Sequence, residues 1–239
     1  MKNLLRMLVF SVLALFLLAG SAMAIPTTLH DILGYPGTDA YTDTGAEEVY
    51  LADTANGDAT AFLILELTGD ANYNTFGIYD FTVDDQGNVG LGDTLEVFSG
   101  PASPTSEVTL AFDLGAGTVT NESTGESRNI DTTFGFYLTS PEGRKLEATY
   151  YSHASKNTDG YDHMMIFDTS DNTVGNLLGS DVVVAIEDIS GGGDEDFNDM
   201  VVGVSNVAVH TPEPGTILLL GSGLISLAAF GRKKLSRNS

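Results

Sequence analysis

Acidic side chains are crowded into one short stretch of the chain, "EDISGGGDEDFNDM" at residues 187–200. Carboxylates that fold close together raise one another's pKa and destabilise the fold unless a cation offsets their charge. Calcium takes about six to eight oxygen ligands in flexible geometry, from carboxylates, amides and backbone carbonyls. The stretch therefore predicts a site for a hard cation, and calcium is the expected ion.

The predicted ligands are the oxygen-bearing side chains on either side of the three glycines at 191–193. They are Glu187, Asp188, Asp194, Asp196, Asn198 and Asp199. Strand alternation would place Glu187 and Asp188 on opposite faces, so Glu187 is the ligand expected to point away. Magnesium needs a stricter octahedron. Zinc and copper favour histidine, and no two histidines have metal-ligand spacing among His30, His153, His163 and His210.

A solvated acidic loop is the alternative interpretation of the same stretch, in keeping with the charge of the whole chain. An EF-hand is a poor match. The stretch has Asp199 where that loop needs glycine and Ser205 where it needs a bidentate glutamate. The strand patterns on both sides also argue against an EF-hand.

Short strand patterns separated by turns rich in Asn, Asp and Gly must position this loop. In "DVVVAIED", Val182, Val184 and Ile186 would face the core and Phe197 would turn inward as an anchor. The patterns predict an all-β fold, an antiparallel β-sandwich of jelly-roll or immunoglobulin-like kind. Strands are expected at 61–67, 75–83, 94–100, 107–114, 133–140, 145–152, 162–168, 181–188 and 200–209.

A Phe-Gly-x-Tyr pattern occurs twice, at residues 76–79 and 134–137. One interpretation is that two related hairpins stack across the sandwich. The other is that amphipathic hairpins simply resemble one another. A further acidic cluster, Asn157 with Asp159 and Asp162, is interpreted as an ordinary turn that would approach the main loop only if strand 162–168 neighbours it.

The N-terminal segment has the pattern of a signal peptide. Lys2 and Arg6 precede an apolar run, which closes on Ala22-Met23-Ala24, the small-x-small pattern that signal peptidase cleaves. We therefore assign residues 1–24 to a signal helix removed by signal peptidase. A retained membrane anchor is the alternative.

The C-terminal segment, residues 212–239, combines three features in order. Pro212-Glu213-Pro214 comes first, an uncharged apolar run at 216–230 follows, and a basic cluster ends the chain with Arg232, Lys233 and Lys234. The run lies at or just below the about 17–25 residues of a membrane-spanning helix, and the basic tail would stay cytoplasmic. A buried core helix is the alternative, but a polycationic tail does not suit one.

These three features resemble a PEP-CTERM sorting signal of Gram-negative bacteria that make extracellular polysaccharide. The resemblance implies recognition by an exosortase, which cuts near Pro-Glu-Pro. The protein would cross the inner membrane, be held there transiently by the C-terminal helix, and reach the cell surface or extracellular matrix.

The body between the signals, residues 25–211, is strongly acidic. The chain carries 33 Asp and Glu against 10 Lys and Arg, a net charge of −23. Such a charge argues against nucleic acid and anionic membranes as partners. Cysteine is absent, which excludes disulfides, thiol catalysis and Cys-ligated metals.

The body also resembles a domain of unknown function in exported bacterial proteins and large adhesins, over roughly residues 70–209. The shared features are the E-D-x-x-G-G-G-D-x-D-[FY]-N-D signature, the Phe-Gly-x-Tyr segments and "DGYDH" at 159–163. The six predicted ligands fall on the signature's fixed positions. The resemblance implies a β-sandwich with a calcium-type loop and no established activity.

No catalytic function is expected. The carboxylates lie in one tight loop rather than on facing walls of a cleft, as a glycosidase would need. No G-x-S-x-G or H-E-x-x-H motif is present. The sequence therefore predicts a calcium-binding structural or adhesive protein of the cell surface or biofilm matrix, with exopolysaccharide or other matrix proteins as partners. The alternative is a non-catalytic carbohydrate-binding module.

Overall fold

The computed structural model describes the chain between residues 43 and 209, with gaps. The described residues are 43–55, 57–66, 73–100, 102, 104–140, 148–169, 179–193 and 195–209. The predicted signal peptide and the predicted sorting segment lie outside this part, with the residues assigned to cleavage (Ala22, Ala24) and sorting (Pro212, Glu213, Pro214, Arg232, Lys233, Lys234). The division at residues 24 and 211 therefore stays a prediction.

Within the described residues the chain forms thirteen strands and no α-helix. The strands are β1 (Val49–Leu51), β2 (Asp58–Glu66), β3 (Thr75–Val83), β4 (Val89–Ser99), β5 (Glu107–Asp113), β6 (Thr118–Asn121), β7 (Glu126–Arg128), β8 (Thr133–Ser140), β9 (Ala148–Tyr151), β10 (Met164–Asp168), β11 (Val182–Ile186), β12 (Met200–Ser205) and β13 (Val207–Val209). Two 3-10 turns, Ala154–Lys156 and Ser190–Gly192, lie between strands. The prediction of an all-β fold is confirmed.

The strands of the described chain form two antiparallel sheets. The six-stranded sheet has the order β13-β1-β8-β3-β4, with β9 paired to β8. The seven-stranded sheet has the order β10-β11-β12-β2-β5-β6-β7. The chain passes from one sheet to the other between β12 and β13, at Asn206, whose φ of 57° turns the backbone.

One hydrophobic core draws its buried side chains from both sheets. Phe76 of β3 and Phe136 of β8 stack with ring centroids 5.8 Å apart, and both belong to the same cluster as Val184 of β11 and Val202 of β12. Because aromatic and branched side chains bury large apolar areas, this shared cluster is the main attraction between the sheets.

Strand β11 is covered on both faces. Val182, Val184 and Ile186 join the shared core, which confirms the predicted alternation. Val183 and Ala185 join a second cluster on the opposite face. Packing on both faces therefore fixes the position of Glu187 and Asp188, which follow β11.

The two Phe-Gly-x-Tyr segments lie side by side in the six-stranded sheet. In the register of β3 and β8, Gly77 is opposite Tyr137 and Gly135 is opposite Tyr79. Each tyrosine ring covers the partner's glycine so closely that a Cβ would collide with it. Of the two interpretations, the stacking of two hairpins across the sandwich is therefore wrong, because β3 and β8 are hydrogen-bonded neighbours within one sheet.

Strand boundaries match best where the apolar pattern is long. Strands β3 and β8 coincide with the predicted 75–83 and 133–140. Strands β1, β6 and β7, of three or four residues each, were not predicted. Such short strands carry too few alternating residues to stand out from turns.

Candidate metal centre

Residues 187–199 form the loop between β11 and β12, and the register of these strands brings the two ends of the loop together. These ends, Glu187 with Asp188 and Asp199, are the neck of the loop. Ile186 and Met200 are the last paired residues of the two strands. Glu187 directly follows Ile186 and Asp199 directly precedes Met200, so the two acidic residues are brought together where the chain leaves β11 and enters β12. The Asp188 backbone N–H donates to Asp199 Oδ2 at 2.9 Å and closes the neck.

Three carboxylates converge at this neck. Glu187, Asp188 and Asp199 each offer an oxygen, and these oxygens lie within 4.8 Å of one another. Glu187 is 0% exposed and Asp188 is 4% exposed. Two ligands of one calcium ion lie at most about 5 Å apart, which is twice the calcium–oxygen distance of about 2.3–2.6 Å. The three oxygens are therefore close enough to share one ion.

Asn74, at the end of the other sheet, lies beside these carboxylates. It lies directly before β3 of the six-stranded sheet, is 1% exposed, and donates from Nδ2 to Asp188 Oδ2 at 3.0 Å. Its Oδ1 is buried and has no hydrogen-bond partner among the described residues. An amide oxygen is a calcium ligand, so Asn74 is a fourth candidate that the sequence did not single out.

The electrostatics of the neck are unfavourable without a cation. Burial, together with the charges of Asp188 and Asp196, raises the pKa of Asp199 from its ordinary 3.8 to about 6, against the lowering effect of hydrogen bonds from the Asp188 N–H and the Glu187 side chain. A carboxyl whose charged form is disfavoured in this way gains most from a cation placed beside it.

The glycines are required by close approaches within the loop. Gly192, with φ 87°, lies against the Tyr161 ring, and Gly193, with φ 49°, lies against the Glu187 carboxylate. A Cβ at either position would collide with these groups, and both backbone conformations are rare for other residues. The glycines thus allow the loop to fold onto its own acidic neck.

Asp159 holds the glycine turn from the β10 side. Its Oδ2 accepts hydrogen bonds from the Gly191 N–H at 2.8 Å and from the Ser190 hydroxyl at 3.2 Å, and His163 Nε2 lies 3.0 Å from the same oxygen. Its Oδ1 accepts from the Tyr161 N–H. Burial alone raises the pKa of Asp159, but the hydrogen bonds from Gly191, Tyr161 and His163 lower it well below the ordinary value.

The turn at 157–160 therefore does approach the main loop. Strand β10 pairs with β11, and this pairing is the condition under which the sequence predicted the approach. The contact is made by hydrogen bonds that the glycine turn donates to Asp159.

Phe197 anchors the far side of the loop. It is 6% exposed and packs with Phe167, Val183 and Val201 on the outer face of the seven-stranded sheet. The prediction that Phe197 is a buried anchor is confirmed, but its ring packs in the outer cluster and not in the core shared by the two sheets. Its φ of 51° is unusual for a phenylalanine, and the burial of the ring compensates for the strained backbone.

The structure brings three of the predicted ligands together and leaves others apart from them. Glu187, Asp188 and Asp199 come together, whereas Asp196 and Asn198 bond to each other, with Asn198 Nδ2 donating to Asp196 Oδ2 at 2.5 Å. The expectation that Glu187 points away is wrong, because β11 ends at Ile186 and strand alternation no longer applies. Asp194 lies outside the described residues.

Two residues around the neck, Asp159 and Asn74, differ in how well the sequence indicates them. Asp159 belongs to "DGYDH", one of the features that resemble the domain of unknown function. Asn74 lies 114 positions from Asp188, and nothing in its local sequence connects the two. Only the packing of the sheets reveals it.

The arrangement suits a hard cation bound by oxygen. The candidate ligands are carboxylates and an amide, whereas both ring nitrogens of nearby His163 are engaged, one at 2.8 Å from the Glu187 carbonyl oxygen and the other with Asp159. A zinc or copper ion would lack its preferred nitrogen ligands here.

No helix in the part of the chain that the structure describes is long and apolar enough to cross a membrane. The predicted C-terminal membrane helix lies beyond that part and is not tested by this finding.

Comparison with known proteins identifies two segments. Residues 120–206 match the family described as Domain of unknown function (DUF4114), and residues 210–234 match the PEP-CTERM protein-sorting motif. No curated protein and no solved structure matches the chain. The DUF4114 segment contains the whole loop from Glu187 to Asp199, although it is shorter than the predicted resemblance over 70–209.

The sorting motif establishes how the chain is handled by the cell. A PEP-CTERM signal is recognised by an exosortase, so this is an exported protein that is sorted to the cell surface. The predicted resemblance to PEP-CTERM proteins and to a domain of unknown function is confirmed.

Proposed function

We propose that this exported protein binds one calcium ion at the neck of the 187–199 loop and acts as a structural or adhesive component of the cell surface or extracellular polysaccharide matrix. The observation that carries the proposal is the convergence of three carboxylates, two of them almost fully buried, beside the buried amide of Asn74. No catalytic role is assigned.

Calcium fits the donor set better than magnesium does. Three carboxylates and one amide oxygen, completed by loop carbonyls and water, give an irregular all-oxygen shell of the kind that calcium accepts. Magnesium would require a near-octahedral set at about 2.0–2.1 Å. Oxygens spread over as much as 4.8 Å on loop and strand ends are poorly matched to that geometry.

A bound ion would join the two sheets at their rim. Glu187 follows β11 and Asp199 precedes β12 of the seven-stranded sheet, whereas Asn74 precedes β3 of the six-stranded sheet. An ion that binds only the folded state adds about 2.7 kcal/mol at 100 times its dissociation constant. For an exported chain without cysteine, such a link would take the place of a disulfide.

The matrix role rests on export together with charge. The sorting signal sends the protein to the surface, and the net charge of −23 makes divalent cations natural mediators between it and other acidic polymers. Signal peptidase, exopolysaccharide and other matrix proteins are the proposed partners, with transient anchoring in the inner membrane before release.

Equilibrium dialysis of the full chain against radioactive calcium tests the site. Wild type should bind one ion that Asp188→Asn removes. The control Asp113→Asn alters an exposed turn aspartate that also accepts backbone hydrogen bonds, and it should leave binding intact. Unchanged binding by Asp188→Asn would refute the site. The matrix role predicts that Asp188→Asn is retained less in the extracellular matrix fraction than Asp113→Asn is.

A further inference from the structure

A pocket lies on the outer face of the six-stranded sheet, and none of the described residues that line it is a candidate metal ligand. It has a volume of about 260 Å³ and opens to solvent. Every described residue that lines it carries a hydroxyl group: Thr75, Thr94, Tyr137, Thr139, Thr149 and Tyr151. These residues come from β4, β3, β8 and β9, four strands that are neighbours in the sheet.

Strand register builds the pocket. Thr139 is opposite Thr75 on one side and Thr149 on the other, so three threonines form one row across β3, β8 and β9. The Thr139 and Thr149 hydroxyls are 3.0 Å apart and share a hydrogen bond. In the next row Tyr137 is opposite Tyr151 on one side and a glycine on the other. Tyrosine rings and threonine hydroxyls are thereby fixed side by side on a rigid sheet.

The chemistry of the pocket is that of neutral hydrogen bonding. Burial, with the charges of Glu96 and Glu126, raises the pKa of Tyr137 to about 12, and burial raises the pKa of Tyr151. Both phenols therefore stay protonated at neutral pH and can donate as well as accept. The same carboxylates, and the net charge of −23, would repel an anionic ligand.

We propose that this pocket binds one neutral sugar ring of a polysaccharide. Threonine and tyrosine hydroxyls would exchange hydrogen bonds with the hydroxyls of the sugar. The volume is slightly below the about 300–1,000 Å³ of pockets for drug-sized ligands, which suits a single ring of a longer chain. The proposal goes beyond calcium binding and does not depend on it.

Native electrophoresis of the full chain through polysaccharide-containing gels tests the proposal. The neutral probes are galactomannan, hydroxyethylcellulose and mannan, and the acidic probe is alginate, with calcium present and with a detergent that has no sugar headgroup. We expect at least one neutral polymer to retard the wild type and alginate not to.

Two double variants locate the binding site. Thr139→Val with Thr149→Val removes a hydrogen-bonded hydroxyl pair while keeping side-chain shape, a change that is close to neutral for folding. Retardation should weaken at least tenfold. Thr120→Val with Ser127→Ala removes a comparable pair, with oxygens 2.6 Å apart, from the other sheet, and should leave retardation unchanged.

Three results would overturn the proposal. The first is that none of the neutral polymers retards the wild type. The second is that alginate retards it as strongly as they do. The third is that the Thr139/Thr149 variant, shown by its circular dichroism to be folded, binds as well as the Thr120/Ser127 control.

Discussion

Substituting Asp199→Asn should stabilise the calcium-free protein while removing its response to calcium. The pKa of Asp199 rises from 3.8 to about 6 in the folded chain, chiefly through burial. A carboxyl with a raised pKa destabilises the fold above that pKa, and the destabilisation disappears below its unfolded value. Asparagine carries no charge and still offers an oxygen to the Asp188 N–H that Asp199 accepts.

The size of the effect follows from the pKa. A difference of about two pKa units corresponds to about 3 kcal/mol, at about 1.4 kcal/mol for each unit. Asp199 is partly exposed, so solvent screening reduces this to about 1–2 kcal/mol. In calcium-free buffer at pH 7.5, Asp199→Asn should therefore raise the free energy of unfolding by about 1–2 kcal/mol. Near pH 4 the difference should shrink towards zero.

Urea unfolding of the full chain measures both parts of this prediction. With calcium at 100 times its dissociation constant, the wild type should gain about 2.7 kcal/mol and Asp199→Asn almost nothing. Asp113→Asn, in an exposed turn of β5, is the control and should behave as the wild type. An Asp199→Asn protein that is less stable than the wild type in calcium-free buffer, or that keeps the full calcium gain, would contradict this prediction.

Three further substitutions probe the surroundings of the site. Asn74→Ala should weaken calcium binding about tenfold, equivalent to about 1.4 kcal/mol, because the ion loses its proposed ligand from the second sheet; calorimetric titration measures this. Asp159→Ala should lower the free energy of unfolding by about 1–3 kcal/mol, since the Gly191 N–H loses a charged acceptor, and should speed amide exchange in the glycine turn. Gly135→Ala should cost about 1–3 kcal/mol, because the added Cβ meets the Tyr79 ring, and thermal unfolding reports the loss.

Matched variants separate these effects from general damage. Asp84→Ala removes another aspartate that accepts hydrogen bonds within an exposed turn, and it should leave the calcium response unchanged. Gly115→Ala adds a Cβ beside the flexible Asp113 side chain instead of a buried ring, and should change stability little. Unchanged amide exchange of the glycine turn in Asp159→Ala, or equal losses in Gly135→Ala and Gly115→Ala, would remove the basis for the corresponding prediction.

Local sequence patterns were enough to predict most of the strands. Alternation in β11 correctly separated Val182, Val184 and Ile186 from their neighbours, because a strand has only two faces and one of them packs on the shared core. The reciprocal contacts of Tyr79 and Tyr137 with glycines could not be derived in the same way. They depend on which strands are neighbours, and strand order is not a local property of the sequence.

The candidate site, like the fold, could be predicted from local sequence only in part. Crowded carboxylates around three glycines marked the loop, and the β11–β12 register brings its first and last acidic residues, Glu187 and Asp199, together. Extending strand alternation past Ile186 misplaced Glu187, since the backbone leaves the sheet there. Asn74 reaches Asp188 only because the two sheets share one core, which no short segment encodes.

The most direct measurement is thermal unfolding of the full chain in matched buffers containing calcium, magnesium or chelator. At 100 times the dissociation constant, calcium should raise the midpoint by about 5–10 °C over chelator, and magnesium at the same concentration should raise it far less. An equal rise with magnesium would show that the effect is general charge screening of an acidic chain. No rise with calcium would contradict the central claim that an ion belongs between Glu187, Asp188 and Asp199.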